Sequence, residues 1–346
     1  METERNTLIC PLPSLGNGRV TLAHGAGGHI MRQMITETIG PMYAADFHPD
    51  HDGAVFDMDG RLAFTSDSYV VDPLEFPGGD IGRLAVYGTV NDLLMCGAKP
   101  LYLSTCFIIE EGLPLATLER VCRSMAHAAQ ETGVAIVTGD TKVVSRGQAD
   151  GIYLNTAGVG RVPLGLRIHP SEVRPGDVLI VSGDLGRHAV AILAARSGLT
   201  LPAGLVSDCA PLGEPLDTLL MTGIRPHCLR DLTRGGLAAA LHEITAIGRV
   251  GAEIFEATVP VHEDVRDICE IMGFDPLYLT NEGRFILVVR PEDADECVQI
   301  LRGSDVSQGA QIIGKVTETK QVEVVGLYGS RRPLKEASGE ILPRIC

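Results

Sequence analysis

The fold is constrained most by an irregular stretch near the middle of the chain, 161-RVPLGLRIHPSEVRPGD-177, where proline, glycine and charged residues replace apolar periodicity. It divides 346 residues, more than one ordinary core needs, into two runs that each mix strand-like and helix-like patterns. Neither run alternates strands and helices strictly, so the sequence predicts an α+β fold. We expect domains at 1–160 and 170–327, followed by a mobile tail at 328–346.

The first half contains four segments with the apolar alternation of strands, at 61–67, 101–109, 134–140 and 152–160. A helix is predicted at 80–97, with Asp80 as its N-cap, and a second at 114–133. Apolar or small residues recur in them at helical spacing, namely Ile81, Leu84, Ala85 and Gly88 in the first and Leu118, Val121, Met125 and Ala128 in the second. Each helix therefore has a face suited to packing on a sheet.

The second half repeats this mixture. Its predicted strands are 178–183, 284–290, 311–317 and 321–327, and its predicted helices are 187–198, 235–248 and 261–273. High glycine content, 40 residues, also favours tight turns between such elements over a helical bundle.

Charge and hydropathy exclude several classes of protein. The net charge is −15, and no Lys/Arg run exists that could follow a phosphate backbone, so nucleic-acid binding is not expected. The N-terminus is acidic where a signal peptide would be basic, and no segment approaches the roughly 18 apolar residues of a membrane span. We therefore expect a cytoplasmic protein, with its nine cysteines as free thiols.

Four aspartates stand at the ends of apolar segments, where a scaffold often presents functional groups: Asp52, Asp67, Asp92 and Asp231. Taken singly, each has the ordinary explanation of a turn or capping residue. Together they form an acidic set without partnering Lys or Arg, which would repel itself unless divalent cations neutralised it. Oxygen ligands favour Mg²⁺, and Mg²⁺ held by carboxylates typically carries substrate phosphates. The sequence thus predicts an ATP site.

Two further stretches fit a polyphosphate. In 24-HGAGGH-29, Gly25, Gly27 and Gly28 are able to fold backbone N–H groups around phosphate, although an ordinary glycine turn explains them equally well. In 138-TGDTKVV-144, Asp140 and Lys142 end a strand, and the ammonium can balance phosphate charge; a solvated lysine after a strand is the alternative.

The order of these motifs is specific. The succession DGA, TSDS, a Gly-Gly-Asp helix containing NDL, GDT and DLTRGG resembles the superfamily of ATP-using enzymes built like aminoimidazole ribonucleotide synthetase, which includes selenophosphate synthetase and thiamine-monophosphate kinase. Within it, the chain resembles the HypE family of hydrogenase-maturation carbamoyl dehydratases over nearly its whole length, including the terminal PRIC.

The resemblance implies a homodimer with the two-domain aminoimidazole ribonucleotide synthetase-like fold, in which the N-terminal α+β domains pair and ATP binds in the cleft. The positions that match the family's motifs imply that the four aspartates bind Mg²⁺. They also imply that ATP binds to the glycines of the HGAGGH stretch and to Asp80, Asn91, Asp140, Thr141 and Lys142.

The resemblance also implies a role for the C-terminus. Cys346 would receive a carbamoyl group from the carbamoyltransferase HypF, and ATP-dependent dehydration would leave a thiocyanate, whose cyanide passes to iron on a HypC–HypD complex. Glu282 matches the family's candidate base, and Lys142 would pair with phosphate or the activated oxygen. A small-molecule kinase or synthetase of the same superfamily, or a non-enzymatic metal-assembly scaffold, remains as an alternative.

Overall fold

The structure is a computed structural model that describes residues 18–25, 29–43, 57–336 and 342–346. The helices of the first half are α1 (His29–Met34), α2 (Gly40–Tyr43), α3 (Ile81–Met95) and α4 (Leu115–Thr132). Its strands are β1 (Arg61–Tyr69), β2 (Glu75–Phe76), β3 (Gly79–Asp80), β4 (Lys99–Glu110), β5 (Ala135–Val144) and β6 (Ile152–Val162). The four predicted strands and both predicted helices are confirmed, as β1, β4, β5 and β6 and as α3 and α4.

The four long strands form one sheet in the order β1-β6-β4-β5. β6 is antiparallel to β1 and to β4, whereas β4 and β5 run parallel. Helices α3 and α4 pack together on one face of this sheet. The sheet therefore has a covered face, and β1 and β5 are its two edges.

Local sequence explains where the two helices begin and end. Asp80 Oδ1 accepts hydrogen bonds from the N–H groups of Gly82 at 2.8 Å and Arg83 at 3.1 Å, which confirms the predicted N-cap of α3. Such a cap stabilises a helix by about 1 kcal/mol. Helix α4 ends at Gly133, whose φ of 67° is readily adopted only by glycine. The eight predicted helix-face residues are all buried.

The second half forms a seven-stranded sheet in the order β13-β12-β9-β11-β7-β10-β8, in which only β9 and β12 are parallel neighbours. Its strands are β7 (Val178–Val181), β8 (Cys228–Asp231), β9 (Gly251–Phe255), β10 (Phe285–Val289), β11 (Gln311–Thr317), β12 (Val322–Val325) and β13 (Arg331–Pro333). Its helices are α5 (Arg187–Ser197), α6 (Gly213–Met221), α7 (Gly236–Gly248), α8 (Glu263–Met272) and α9 (Ala294–Leu301). The mixture of helices with largely antiparallel sheets confirms the α+β class.

Five elements of the second half were not predicted, namely α6, α9, β8, β9 and β13, and neither were the short α1, α2, β2 and β3 of the first half. Helix α6 opens with Gly-Glu-Pro, a composition typical of turns, and α9 has only 8 residues. Strand β9 carries a buried charge at Glu253, which Arg331 neutralises at 2.8 Å. Apolar periodicity does not reveal a strand whose charge is paired with a residue far away in sequence.

The C-terminal tail begins later than the sequence predicted. Residues 331–333, assigned to the tail from sequence, form β13 and pair with β12. Arg331 bridges Glu323 at 3.2 Å and Glu253 at 2.8 Å, so opposite charges rather than apolar residues hold this strand. The division into the two predicted domains and a tail stays a prediction.

The two halves share a hydrophobic core. Buried residues of α3, α4, α5, α6 and α9 belong to one cluster, and α3 also contacts β8. Helix α3 thus connects the four-stranded sheet to the seven-stranded one. Within the described ranges, no helix is long and apolar enough to cross a membrane.

Candidate active site

Three of the predicted metal-binding aspartates lie where α3 joins the two sheets. Asp67 is near the end of β1, Asp92 is on α3, and Asp231 is the last residue of β8. Thr65 Oγ1 donates to Asp92 Oδ2 at 2.8 Å, and Asp67, two residues further along the strand, shares this α3-facing side of the sheet. Asp52 lies outside the described residues.

Two of these aspartates, Asp92 and Asp231, have raised pKa values. Burial, followed by the charge of Asp231, raises the pKa of Asp92 to about 7. Burial also raises the pKa of Asp231; Arg230 opposes that rise and Asp67 adds to it. Carboxylates that repel one another in this way form a donor set that suits a hard divalent cation. Among the residues described, however, no three His, Cys, Asp or Glu side chains are arranged to hold a metal ion.

Glu282 is a buried carboxyl group beside this set. Its side chain is 4% exposed, and its Oε1 has no hydrogen-bond partner among the described residues. Its backbone N–H donates to Asp208 Oδ1 at 3.3 Å, which fixes the loop. Burial, then the charges of Asp208, Asp231, Asp67 and Asp92, raise the pKa of Glu282 well above its ordinary value. A carboxylate with a raised pKa is a strong base once ionised.

Arg234 is a site residue that the sequence analysis missed. Its guanidinium lies 3.7 Å from Asp67 Oδ1. The charge of Cys346 contributes most to raising the pKa of Arg234; burial opposes it, and Asp67 and Glu282 add to it. Arg234 therefore lies between the C-terminus and the carboxylates. The sequence did contain an indication of this role. In the DLTRGG motif, Arg234 stands between Asp231, a candidate metal ligand, and two glycines.

The last residues of the chain are docked beside this cluster. Val70 N–H donates to Cys346 O at 3.0 Å, Asp72 N–H donates to Arg344 O at 3.4 Å, and Arg344 Nε donates to Val70 O at 3.0 Å. The terminal segment therefore runs alongside 70–72, directly after β1. Ile345 is 3% exposed. Cys346 is half-buried and packs against the core, a position that the sequence analysis did not anticipate.

Two side chains of α5 hold the terminal segment from the other side. His188 Nε2 donates to Ile345 O at 2.8 Å, and because Nε2 carries the proton, His188 Nδ1 accepts from Ser207 Oγ at 2.8 Å. Burial lowers the pKa of His188, which keeps the ring neutral. Arg196 donates to Asp72 O at 2.6 Å and Pro343 O at 2.7 Å. On this side the bonds from His188 and Arg196 are accepted by backbone carbonyls, whereas the Arg344 side chain holds the segment from its own end.

Lys142 and Asp140 lie away from this cluster within one chain. They pair with each other at 3.0 Å on β5, the edge strand opposite β1. Asp140 pairs with Cys106 on β4, and Lys142 pairs with Ile108. Because Cys106 and Ile108 alternate with the buried Phe107, Asp140 and Lys142 point to the face that α3 and α4 do not cover. Thr141, between them, is buried.

The remaining predicted nucleotide residues are placed as follows. Both Asp80 oxygens accept from Ser124 Oγ in addition to the capping bonds, and the Asn91 amide bonds Ala210 O at 3.1 Å and the Leu212 N–H at 3.0 Å. These two side chains therefore have structural partners, and direct contact with a nucleotide stays a prediction. Gly25 approaches β5 so closely that a Cβ would lie 2.7 Å from Val143 N. Gly27 and Gly28 lie outside the described residues.

Both halves of the chain are similar to known proteins. The N-terminal domain of AIR synthase related proteins matches residues 50–162, and the C-terminal domain of the same family matches 174–326. The chain is 45% identical over 337 residues to the carbamoyl dehydratase HypE of Rhizobium leguminosarum bv. viciae, covering 96% of each. The chain belongs to the HypE family of carbamoyl dehydratases. The family and fold predicted from the motifs are thereby confirmed.

Solved HypE structures are also similar. A HypE crystallised in complex with ATP superposes with a TM-score of 0.91 at 42% identity, covering 94% of this chain and 99% of that one. A chain from a HypE–HypF complex superposes with a TM-score of 0.77 at 40% identity, covering 90% and 100%. The similarity to HypE therefore spans both sheets.

Proposed function

We propose that this chain carries a carbamoyl group on Cys346 and dehydrates it to a thiocyanate at the expense of ATP, as a source of cyanide ligands for the iron of [NiFe] hydrogenase. The observation that carries the proposal is the docked C-terminus. Cys346 lies beside Arg234, which also faces Glu282 and Asp67. The C-terminal residue is thus docked near candidate groups for acid–base and phosphate chemistry.

Dehydration of the S-carbamoyl group requires loss of the carboxamide oxygen and of both protons on nitrogen. ATP supplies the phosphoryl group that turns that oxygen into a leaving group, so the products are thiocyanate, ADP and phosphate. Glu282 is the residue best suited to take up a proton from nitrogen, because its buried oxygen has no partner in the described chain and its pKa is raised. Burial also keeps water from this base.

Arg234 is proposed to orient the reacting group. A guanidinium donates hydrogen bonds in a fixed plane, and this one already has anionic groups on several sides. Placed beside Cys346, it can hold the carboxamide oxygen before phosphoryl transfer and stabilise negative charge afterwards. The docked terminal backbone limits the rotation of the carrier, which favours one orientation.

The nucleotide and metal are assigned to the residues predicted from sequence. Mutual repulsion among Asp67, Asp92 and Asp231 supports Mg²⁺ binding there, with Asp52 as the fourth proposed ligand. Beside Gly25, the buried His24 Nε2 has no partner among the described residues, so a polar ligand fits this end of the glycine stretch. Mg²⁺ would neutralise transferring phosphate and lower the pKa values of the carboxylates.

A homodimer is proposed from the uncovered face of the four-stranded sheet. On this face Leu62 is 51% exposed, Phe64 71% and Ile108 43%. Pairing two such faces would bury these apolar side chains, each worth about 1.5–3 kcal/mol when fully buried. Lys142 lies on the same face, so we propose that it serves the site of the second subunit rather than its own.

The proposed partners follow from the carrier role. A HypE relative was crystallised with HypF, which supports HypF as the carbamoyl donor, and a HypC–HypD complex is proposed as the cyanide acceptor. For this role the same five terminal residues are proposed to leave the cleft and present Cys346 to either partner. The eight described cysteines are free thiols, as we expect for a cytoplasmic enzyme.

Intact-protein mass spectrometry tests the proposal. The chain is incubated with HypF, carbamoyl phosphate and ATP, desalted, and then given Mg²⁺-ATP, with Cys346→Ala in parallel. We expect a gain of one carbamoyl group on Cys346 in the first step, followed after desalting by loss of one water only when Mg²⁺-ATP is added. An adduct on another residue, or one that ATP never shortens, contradicts the proposal.

A further inference from the structure

A cavity of about 710 Å³ lies between the first turn of α3 and residues 117–127 of α4. Its apolar wall includes Leu74, Phe76 and Val121, of which the last two are buried. Arg83, Arg120, Arg123 and His127 also line it. Asp80, assigned to ATP from the sequence, lines it as well, whereas Asp67, Asp92, Asp231, Glu282, Arg234 and Cys346 do not.

The basic residues of the cavity exceed the acids available to them. Asp80 is occupied by its capping bonds and by Ser124, and Glu75 pairs with Arg120 at 2.9 Å. Arg83 and Arg123 form no ion pair with any acid of the described ranges. A concentration of unpaired arginines contrasts with the net charge of −15 of the whole chain. The cavity therefore favours an anion where most of the surface repels one.

The wall beside Phe76 separates this cavity from the candidate active site. A Cβ built on Gly79 would lie 2.7 Å from the Phe76 ring and 3.5 Å from Cys209 Cβ, so glycine at 79 lets these layers pack closely. The Phe76 ring also packs edge-on against His188, with centroids 5.3 Å apart. A cavity ligand would thus sit one side chain away from a residue that holds the C-terminus.

We propose that this cavity binds a small organic phosphate, with the phosphate between Arg83 and Arg123 and the apolar body against Phe76 and Val121. Arginine forks match phosphate geometry and bind it with charge-assisted hydrogen bonds. The volume is within the range of roughly 300–1,000 Å³ that is usual for small-molecule sites. An apolar wall facing a basic rim is the arrangement that such a two-part ligand requires.

Titration calorimetry of the full-length chain tests this with p-nitrophenyl phosphate as the probe and with inorganic phosphate and p-nitrophenol as its separate halves. We expect one saturable site for the whole probe and weaker binding of each half. Arg83→Gln and Arg123→Gln should each weaken binding about tenfold, because each removes a charge-assisted bond to phosphate. Arg225→Gln, which removes one charge from an exposed arginine outside the cavity, should change nothing.

Circular dichroism confirms that each variant is folded before titration. Absence of saturable binding to the unmodified chain would overturn the proposal. Unchanged binding in both cavity variants would also overturn it, since the probe would then occupy another site. Equal weakening in Arg225→Gln would show only a general effect of net charge. The readout is binding alone, so it is independent of whether the chain dehydrates a carbamoyl group.

Discussion

A buried carboxyl oxygen without a partner costs a fold about 1–3 kcal/mol, and native proteins keep such groups mainly where chemistry needs them. Glu282 Oε1 is one of three such side-chain atoms in the part of the chain that the structure describes. Asp208 Oδ2, the second, belongs to the residue that fixes the Glu282 backbone. Two of the three atoms therefore lie beside the proposed site of reaction, with Arg284 Nε 3.9 Å from Asp208 Oδ2, and the third is His24 Nε2.

Replacing Glu282 by glutamine tests its role as a base. Glu282→Gln keeps the size of the side chain but cannot accept a proton, so we expect normal carbamoylation of Cys346 and dehydration slowed by about 10²–10⁴-fold. The measurement is the single-turnover loss of water by intact mass. Asp217→Asn, an exposed acid on α6, serves as the control. A normal dehydration rate in Glu282→Gln would remove this residue from the mechanism.

Asp92 gives a prediction about stability and pH. Its folded pKa of about 7 exceeds its ordinary value of 3.8, so the fold favours the protonated form and loses stability as pH rises between these values. Asparagine cannot ionise and can still accept from Thr65. Without metal, Asp92→Asn should be more stable than the unmodified chain by about 1–3 kcal/mol at about pH 8.

Urea denaturation at a series of pH values measures this difference. The extra stability of Asp92→Asn should shrink towards about pH 4, where Asp92 and its asparagine replacement are both neutral in the folded state. At high pH, Mg²⁺ should reduce this extra stability, because it compensates the charge of the carboxylates. Asp217→Asn should show no comparable trend. A gain that does not vary with pH would mean that the substitution acts through packing.

At the scale of elements, the docked C-terminal segment is held by few groups, and Arg196 of α5 is one of them. It donates to the carbonyls of Asp72, Pro343 and Arg344. Arg196→Ala should therefore expose Cys346 more often and speed its alkylation by iodoacetamide about tenfold, as expected for a net loss of about 1.4 kcal/mol. Mass analysis of the alkylated C-terminal peptide gives the rate.

Cys96 provides an internal reference for that experiment, because it is exposed and distant in sequence from the terminal segment. Its alkylation rate should not change in Arg196→Ala. If both cysteines react faster, the variant has loosened the whole fold. If neither does, backbone contacts with residues 70–72 are sufficient to hold the segment.

The elements also show what the sequence could and could not predict. Helices α3 and α4 were predicted because Asp80 caps one and a regular apolar stripe lines the other. Strand β9 was not, because its buried Glu253 depends on Arg331 of β13, and that pairing exists only in the folded sheet. Arg234 was missed for a similar reason: its importance comes from anionic neighbours that approach it from distant segments.

At the scale of the whole molecule, the position of Lys142 distinguishes a complete site in one subunit from a shared one. The four-stranded sheet separates Lys142 from Asp67 and Asp92, because they lie on opposite faces and at opposite edges. Three strand spacings of about 4.8 Å lie between the edges, too far for a direct contact. A dimer formed through the uncovered face would place Lys142 of one subunit at the interface, from which it would reach the other site around the edge strand β1 rather than through the sheet.

Mixing two inactive variants tests this arrangement. Lys142→Ala and Glu282→Gln should each dehydrate poorly alone. After subunit exchange, half of the dimers are hybrids in which one of two sites has both residues intact, so activity should return to roughly a quarter of the unmodified level. Intact mass identifies the chain that reacts, and thiocyanate should form only on Cys346 of the Lys142→Ala chain, which keeps its own Glu282.

A second mixture provides the matched control. Glu282→Gln and Cys346→Ala alter two residues that lie in the same subunit's site, so their hybrids contain no complete site and should stay inactive. Recovery in both mixtures would mean that the C-terminus crosses to the partner subunit. No recovery in the first mixture, once exchange is verified by native mass spectrometry, would show that Lys142 does not act across the interface. The uncovered sheet face would then need another explanation for its exposed Phe64.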